Sequence, residues 1–204
     1  MSVAKSGGVG TIRVAMSADA PTSGRATTPG AASARDTEEA FLECYRECRD
    51  LVFRSAMRYT GGRKDLADDL TQEVFIKLLD RWDELSARGE LHGWLYRVTA
   101  NLAISKLRRE QRWTDRVRTL LASKPAGPTE PDRHLATRQA MDQVVLALES
   151  LPPKQRVVLV MRVLDGKSQR EIAEVIGVSE GYASKLLKRA QAKLRRAGWE
   201  VLDD

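Results

Sequence analysis

The residues of this chain that are best equipped for chemistry carry charge and hydrogen-bond donors rather than nucleophiles. Near the C-terminus, Ser179-Glu180-Gly181-Tyr182-Ala183-Ser184-Lys185 is followed by Lys188, Arg189, Lys193, Arg195 and Arg196. Hydroxyl, phenol and ammonium groups at helical spacing offer donors to base edges, and the flanking cations suit phosphates. A second cluster has the opposite sign: Asp68, Asp69, Gln72 and Glu73 fall close together. Taken alone, these residues read as a solubilising helix face. Cys44 and Cys48 are four apart and share a helix face, but a zinc site needs more ligands and the chain has only His92 and His134 to offer. Packing is the reading favoured for both thiols over metal binding or redox sensing. No nucleophile–base pair, phosphate-cradling glycine loop or acidic metal cluster stands out. The chain is therefore expected not to be an enzyme and to need no metal or other cofactor.

The elements that position these residues read as helices. The 204 residues are 30% charged, 42% hydrophobic and 5% aromatic, with a net charge of +6, a balance suited to short packed helices. Two cysteines are too few for a disulfide-stapled secreted fold, and neither a long apolar run nor a signal-peptide core is present. Residues 1–35, rich in Gly, Ala, Ser and Thr, lack any period and read as a disordered extension. From Asp36, with Glu39 completing a capping-box-like start, Phe41, Cys44, Cys48, Leu51, Val52, Ala56 and Tyr59 recur at helical spacing up to Gly61-Gly62. A second helix is predicted from about Lys64 to Leu85, ending by Gly89, and a third from about His92 to Trp113. Trp94 falls on the apolar stripe of the third and reads as core rather than as a base-stacking platform. Residues 114–134, with Pro125, Pro128 and Pro131, read as a linker. Helical pattern resumes over Leu135 to Leu151 and Val157 to Leu164. Ser168-Gln169-Arg170-Glu171 is a capping box, Gly177 is a turn residue and Ser179 caps a last basic helix. That arrangement describes a DNA-reading helix-turn-helix, the alternative being a helical hairpin with a solvated basic face. The predicted fold class is all-α, two small helical domains joined by a flexible linker.

The stretch Asp65-Leu66-Ala67-Asp68-Asp69-Leu70-Thr71-Gln72-Glu73-Val74-Phe75 resembles the polymerase-binding helix of extracytoplasmic-function (ECF) sigma factors. Gly93-Trp94-Leu95-Tyr96-Arg97-Val98-Thr99-Ala100-Asn101 is similar to that family's Trp-Leu-x-x-Ile-x-x-Asn helix. Leu151-Pro152-Pro153-Lys154-Gln155-Arg156 and Glu171-Ile172-Ala173 stand where the family has them. The resemblance spans about Thr37 to Gly198 and keeps the order of both domains. One departure stands out: the recognition helix carries Tyr182 and Ala183 where members commonly have Thr and Val, and Gly181 in its first turn costs about 1 kcal/mol relative to Ala.

The resemblance implies a sigma factor that binds core RNA polymerase and directs it to specific promoters, in a signal response governed by an anti-sigma factor. Residues 36–113 would be sigma region two, with Asp69, Gln72 and Glu73 docking on the clamp of the largest polymerase subunit. Arg97, Asn101, Lys106, Arg108, Arg109 and Arg112 would hold the minus-ten element, Asn101 by touching a nucleotide or phosphate or by ordering a loop. Residues 135–204 would be sigma region four, contacting the flap of the second largest subunit. Its Ser179, Tyr182, Ser184, Lys185, Lys188 and Arg189 would meet the minus-thirty-five duplex. No membrane insertion and a cytoplasmic location are expected. A free-standing helix-turn-helix regulator and a helical enzyme are the rival readings. The first lacks an evident dimer interface or effector pocket, and the second lacks a candidate active site.

Overall fold

The computed structural model describes residues 2–6, 9–13, 34–120 and 136–201. Helix α1 (Ala34–Thr60) starts two residues before the expected cap, so Asp36 lies in its first turn, where a carboxylate meets the positive end of the helix. Its inner face buries Cys44, Cys48, Val52, Ser55, Ala56 and Tyr59, whereas Leu51, expected inside, is 40% exposed. Gly61 and Gly62 turn the chain with φ of 72° and 85°, a region open to glycine at little steric cost. Helix α2 (Lys64–Leu79) then buries Leu66, Ala67, Leu70, Thr71, Val74, Phe75 and Leu78 against α1.

The single helix expected as far as Leu85 is broken. Arg81 adopts φ −126°, ψ 18°, and a separate helix α3 (Trp82–Arg88) follows. The break re-aims the apolar face: Trp82 and Leu85 are buried, with Trp82 meeting Phe41 edge-on at 5.2 Å. Arg81 binds Glu84 through two nitrogens at 3.1 and 2.7 Å across the new first turn. Helix α4 (Leu91–Leu120) outruns its expected end. The stretch from Thr114 to Leu120, assigned from sequence to the linker, continues the helix because neither Gly nor Pro interrupts it before Pro125. The remainder of that linker, 121–134, lies outside the described residues.

Helix α5 (Ala136–Glu149) and helix α6 (Pro153–Val163) come next. Helix α6 begins earlier than expected because Pro153 occupies its first turn, where no intrahelical N–H is needed. Arg156, 6% exposed, donates to the carbonyls of Leu148 and Glu149 at 2.9 Å each, closing the end of α5. Burial lowers the pKa of this guanidinium from its ordinary value. Helices α7 (Gln169–Ile176) and α8 (Glu180–Arg196) complete the set.

Among the described residues, three short strands accompany the helices: β1 (Ser2–Ser6), β2 (Val9–Arg13) and β3 (Trp199–Val201). β1 pairs antiparallel with β2, and β2 pairs parallel with β3. The extension read as disordered thus differs at 2–6 and 9–13, where Val3, Val9, Thr11 and Ile12 favour extended backbone and β3 offers an edge. Residues 14–33 lie outside the described residues.

The two helical units, α1–α4 and α5–α8, are packed together. One buried cluster runs from Ala56, Tyr59, Ala103 and Leu107 in the first to Val157, Met161, Ile172 and Leu194 in the second. A smaller cluster, including Cys48, Val74, Trp82 and Leu95, belongs to the first unit alone. No helix among the described residues is long and apolar enough to cross a membrane.

Candidate nucleic-acid interface

The helix-turn-helix forms as its sequence dictates. Glu171 N–H donates to Ser168 Oγ at 3.2 Å, and Ser168 N–H donates to Glu171 Oε2 at 2.8 Å, closing the capping box. The Ser168 backbone amide, assisted by its hydroxyl and by Lys167, holds the Glu171 carboxyl at about 2, below the usual carboxylate range. Gly177 takes φ 65°, ψ 50° and ends α7, after which Ser179 Oγ accepts the Tyr182 N–H at 3.3 Å to start α8. Ala183, Leu186, Leu187, Ala190 and Leu194 are buried, as their spacing predicts, and Gln191 joins them at 6% exposure.

On the other face of α8, Ser179, Tyr182, Lys185, Lys188 and Arg189 are exposed, while Ser184 is half-buried at the rim. Tyr182 is 41% exposed, and Lys154 Nζ from α6 stands 6.0 Å from the centre of its ring, close enough for a weak cation–π attraction. Lys193, read as a largely outward cation, is exposed, and its ammonium donates to the Ser150 carbonyl, tying α8 to the end of α5. Arg195 and Arg196 are exposed in the last turn.

The cations of α4 divide between two faces. At 100° per residue, Arg97, Asn101, Arg108 and Arg112 lie within about 60° of one another, whereas Lys106 lies on the opposite side. All four of the first group are exposed, as is Arg109 beside them. Lys106 turns to α2, with its Nζ 3.3 Å from Glu73 Oε2 and 3.9 Å from Asp69 Oδ2. The structure thus joins a residue assigned to DNA with two assigned to polymerase. Asn101 also has partners: its Nδ2 donates to the carbonyl of Arg97 at 2.9 Å and to that of Val175, on α7, at 3.0 Å.

The acidic stripe is exposed at Asp68, Asp69 and Gln72, with Glu73 half-buried. Sequence reasoning missed its apolar neighbours. Ile76 and Leu79 are 54% and 59% exposed and border a groove lined also by Phe41, Tyr45, Gln72 and Phe75. The signal was present, since Ile76 follows Gln72 by one helical turn. Cys44 and Cys48 are buried on α1. Cys48 Sγ is 3.8 Å from His92 Nε2. The hydrogen bond between the thiols lowers the pKa of Cys48 and raises that of Cys44. His134 lies outside the described residues.

Two family models match, Sigma-70 region 2 over residues 44–113 and Sigma-70 region 4 over residues 141–194. The chain is 34% identical over 161 residues to the RNA polymerase sigma-E factor of Streptomyces avermitilis, covering 76% of this chain and 83% of that one. It is 33% identical over 161 residues to the ECF RNA polymerase sigma factor SigE of Mycolicibacterium smegmatis, covering 75% of this chain. The match spans 59% of that relative's length. Among solved structures, the fold is similar to the sigma factor RpoE of Bartonella quintana, solved in complex with the anti-sigma factor NepR. The TM-score is 0.54 at 20% identity, covering 78% of this chain and 96% of that one. With both regions present in order and the 34% identical relative matched over 83% of its length, the chain belongs to the ECF group of RNA polymerase sigma factors, which are transcription initiation factors and not enzymes.

Proposed function

We propose that this chain recruits core RNA polymerase to a defined set of promoters, with α1–α4 serving polymerase and the minus-ten element and α5–α8 the minus-thirty-five element. The observation that carries the reading is the pairing, in one chain, of an acidic stripe on α2 with a capped basic recognition helix α8. Asp69, Gln72 and Glu73 dock on the clamp of the largest subunit, with Ile76 and Leu79 adding apolar contact beside them. The α5–α8 unit meets the flap of the second largest subunit. Arg97, Arg108, Arg109 and Arg112 hold the backbone of the minus-ten strand, and Asn101 contacts a nucleotide. Tyr182, Ser184 and Lys185 read base edges, while Ser179, Lys188 and Arg189 lie against phosphates. Lys106, paired with Glu73, belongs to the docking face rather than to DNA.

An anti-sigma protein is the proposed regulator, by likeness of class to the solved relative. The proposed place of action is the cytoplasm, where polymerase and chromosome meet. Run-off transcription with purified core enzyme across genomic fragments is the test. Discrete starts that depend on this chain are expected. Binding to DNA as a free dimer, with no association with core, would overturn the reading in favour of a free-standing regulator.

A further inference from the structure

Cys44 and Cys48 lie one turn apart on the inner face of α1, in the cluster that belongs to the first unit alone. Their spacing reads as packing, and the structure adds a base. His92, exposed in the first turn of α4, brings Nε2 to 3.8 Å from Cys48 Sγ. A thiol beside an imidazole has a neighbour able to take its proton. The Cys44 thiol gives a second support: its hydrogen bond lowers the Cys48 pKa while its own is raised. Cys48 is thus favoured as the thiolate and Cys44 as the donor beside it. Cys44 lies nearer the surface, 9% exposed against 2% for Cys48, so a small reagent meets the pair from the side of Cys44 and His92. The same stretch of α1 carries Phe41 and Tyr45. Their rings meet those of Trp82 and Phe75 at 5.2 and 4.7 Å, and both line the groove that runs beside Gln72 and Ile76.

We propose that Cys44 and Cys48 form a peroxide-sensing pair, whose closure to a disulfide reshapes the groove that docks on polymerase. This rests on the function proposed above and gives its docking site a regulator. His92 takes the Cys48 proton, and the thiolate attacks one oxygen of hydrogen peroxide. An S–O bond forms and the O–O bond breaks; the hydroxide released takes the proton from His92 and leaves as water. The Cys44 sulfur then attacks the Cys48 sulfenic acid. An S–S bond forms, the S–O bond breaks, and the hydroxide leaves with the Cys44 proton as a second water. Two thiols are oxidised and one peroxide is reduced to two waters. Residues one turn apart in a helix hold their Cβ atoms about 5–6 Å apart, whereas a disulfide needs about 3.5–4.5 Å. The bond therefore draws this turn of α1 together by about 1–2 Å, moving Tyr45 against Phe75 and Phe41 against Trp82.

The experiment exposes the full-length wild type, His92→Gln and the double variant Cys44→Ala/Cys48→Ala to hydrogen peroxide. Intact mass after alkylation of free thiols reveals the disulfide, hydrogen exchange follows α1, and fluorescence anisotropy gives affinity for core polymerase. Treated wild type is expected to lose both alkylation sites, the chain having two cysteines, and to exchange faster across residues 41–48. It should bind core about tenfold more weakly until dithiothreitol restores it. His92→Gln should oxidise at least about tenfold more slowly; an unchanged rate would overturn the role of His92 as base. The double variant should keep its affinity through the same treatment, and an equal loss there would assign the effect to methionine oxidation and sink the sensor. Should that variant lose its helices by circular dichroism, Cys44→Ser takes its place. Two alkylated thiols in treated wild type overturn the proposal, as does a disulfide that leaves exchange and affinity unchanged. A disulfide with faster exchange in a chain that never binds core keeps the sensor and removes the docking role given to α2, so the two readings fail separately.

Discussion

Ser168 and Glu171 bind each other's backbone at the start of α7, and each bond satisfies an amide the helix leaves unpaired. Ser168→Ala is expected to cost about 1 kcal/mol, seen as a lower midpoint in urea. The Glu171 part of the motif has a pH signature. Its carboxyl is held at about 2 in the folded chain, below the unfolded value of about 4.3. Its contribution is therefore complete above the unfolded value and is lost as pH falls towards 2. The group is largely exposed, so solvent screening keeps the effect to about 1 kcal/mol. Glu171→Ala should be less stable than wild type at pH 7, and the gap should narrow at pH 3. On α8, Lys185→Ala is expected to change discrimination among minus-thirty-five variants by about 1–3 kcal/mol. Arg196→Ala should weaken all sequences alike and reduce the salt slope by about one. Titrations of a small promoter library at two salt concentrations separate the two effects. Uniform loss at Lys185 with altered preference at Arg196 would mean that the helix docks in another register. Such residues were legible because caps and faces are local, whereas the bond from Lys193 to Ser150 joins positions 43 apart and left no local trace.

At the scale of elements, the seam between α2 and α4 carries the polymerase assignment. Asp69→Lys with Glu73→Lys is expected to weaken core binding at least about tenfold, since it reverses the charge of the face proposed to dock there. Because Lys106 contacts both carboxylates, the double variant also sets three cations together. Adding Lys106→Glu should restore the seam and leave binding to core weak, as measured by co-purification and by thermal melting. Restored binding in the triple variant would assign the earlier loss to the fold. Of the eight helices among the described residues, six were legible in outline from apolar spacing and glycine stops. The break at Arg81 was not, because Leu78, Trp82 and Leu85 suit one continuous helix as well as two. Lys106 was grouped with the DNA-facing cations of α4; its phase, half a turn from Arg97, puts it instead beside Glu73 and Asp69 of α2. The strands were missed because pairing with β3 depends on an edge far along the chain.

Over the whole molecule, the core that spans both units makes their stability common property. Met161, fully buried in α6, is expected to cost about 2–5 kcal/mol when cut to alanine, and Leu51→Ala on the exposed side of α1 less than about 0.5 kcal/mol. Denaturant melts give both values. Removal of residues 1–33 takes away β1 and β2 and is expected to leave run-off transcription unchanged; a large loss would assign the sheet a part in initiation. The packing of the units on each other was not legible in the sequence. Separate hydrophobic faces and a proline-rich connection describe a tethered pair equally well; the core shared by both units and the meeting of Tyr59 and Tyr96 with Asp165 distinguish them. That meeting has a consequence for synthesis on the ribosome. Tyr59 and Asp165 are 106 residues apart, so at 5–20 residues per second the aspartate is made roughly 5–20 s after the tyrosine. The amino-terminal unit thus has time to fold before its cover exists, and the apolar face around Ala56 and Tyr59 is then open to whatever the nascent chain meets first.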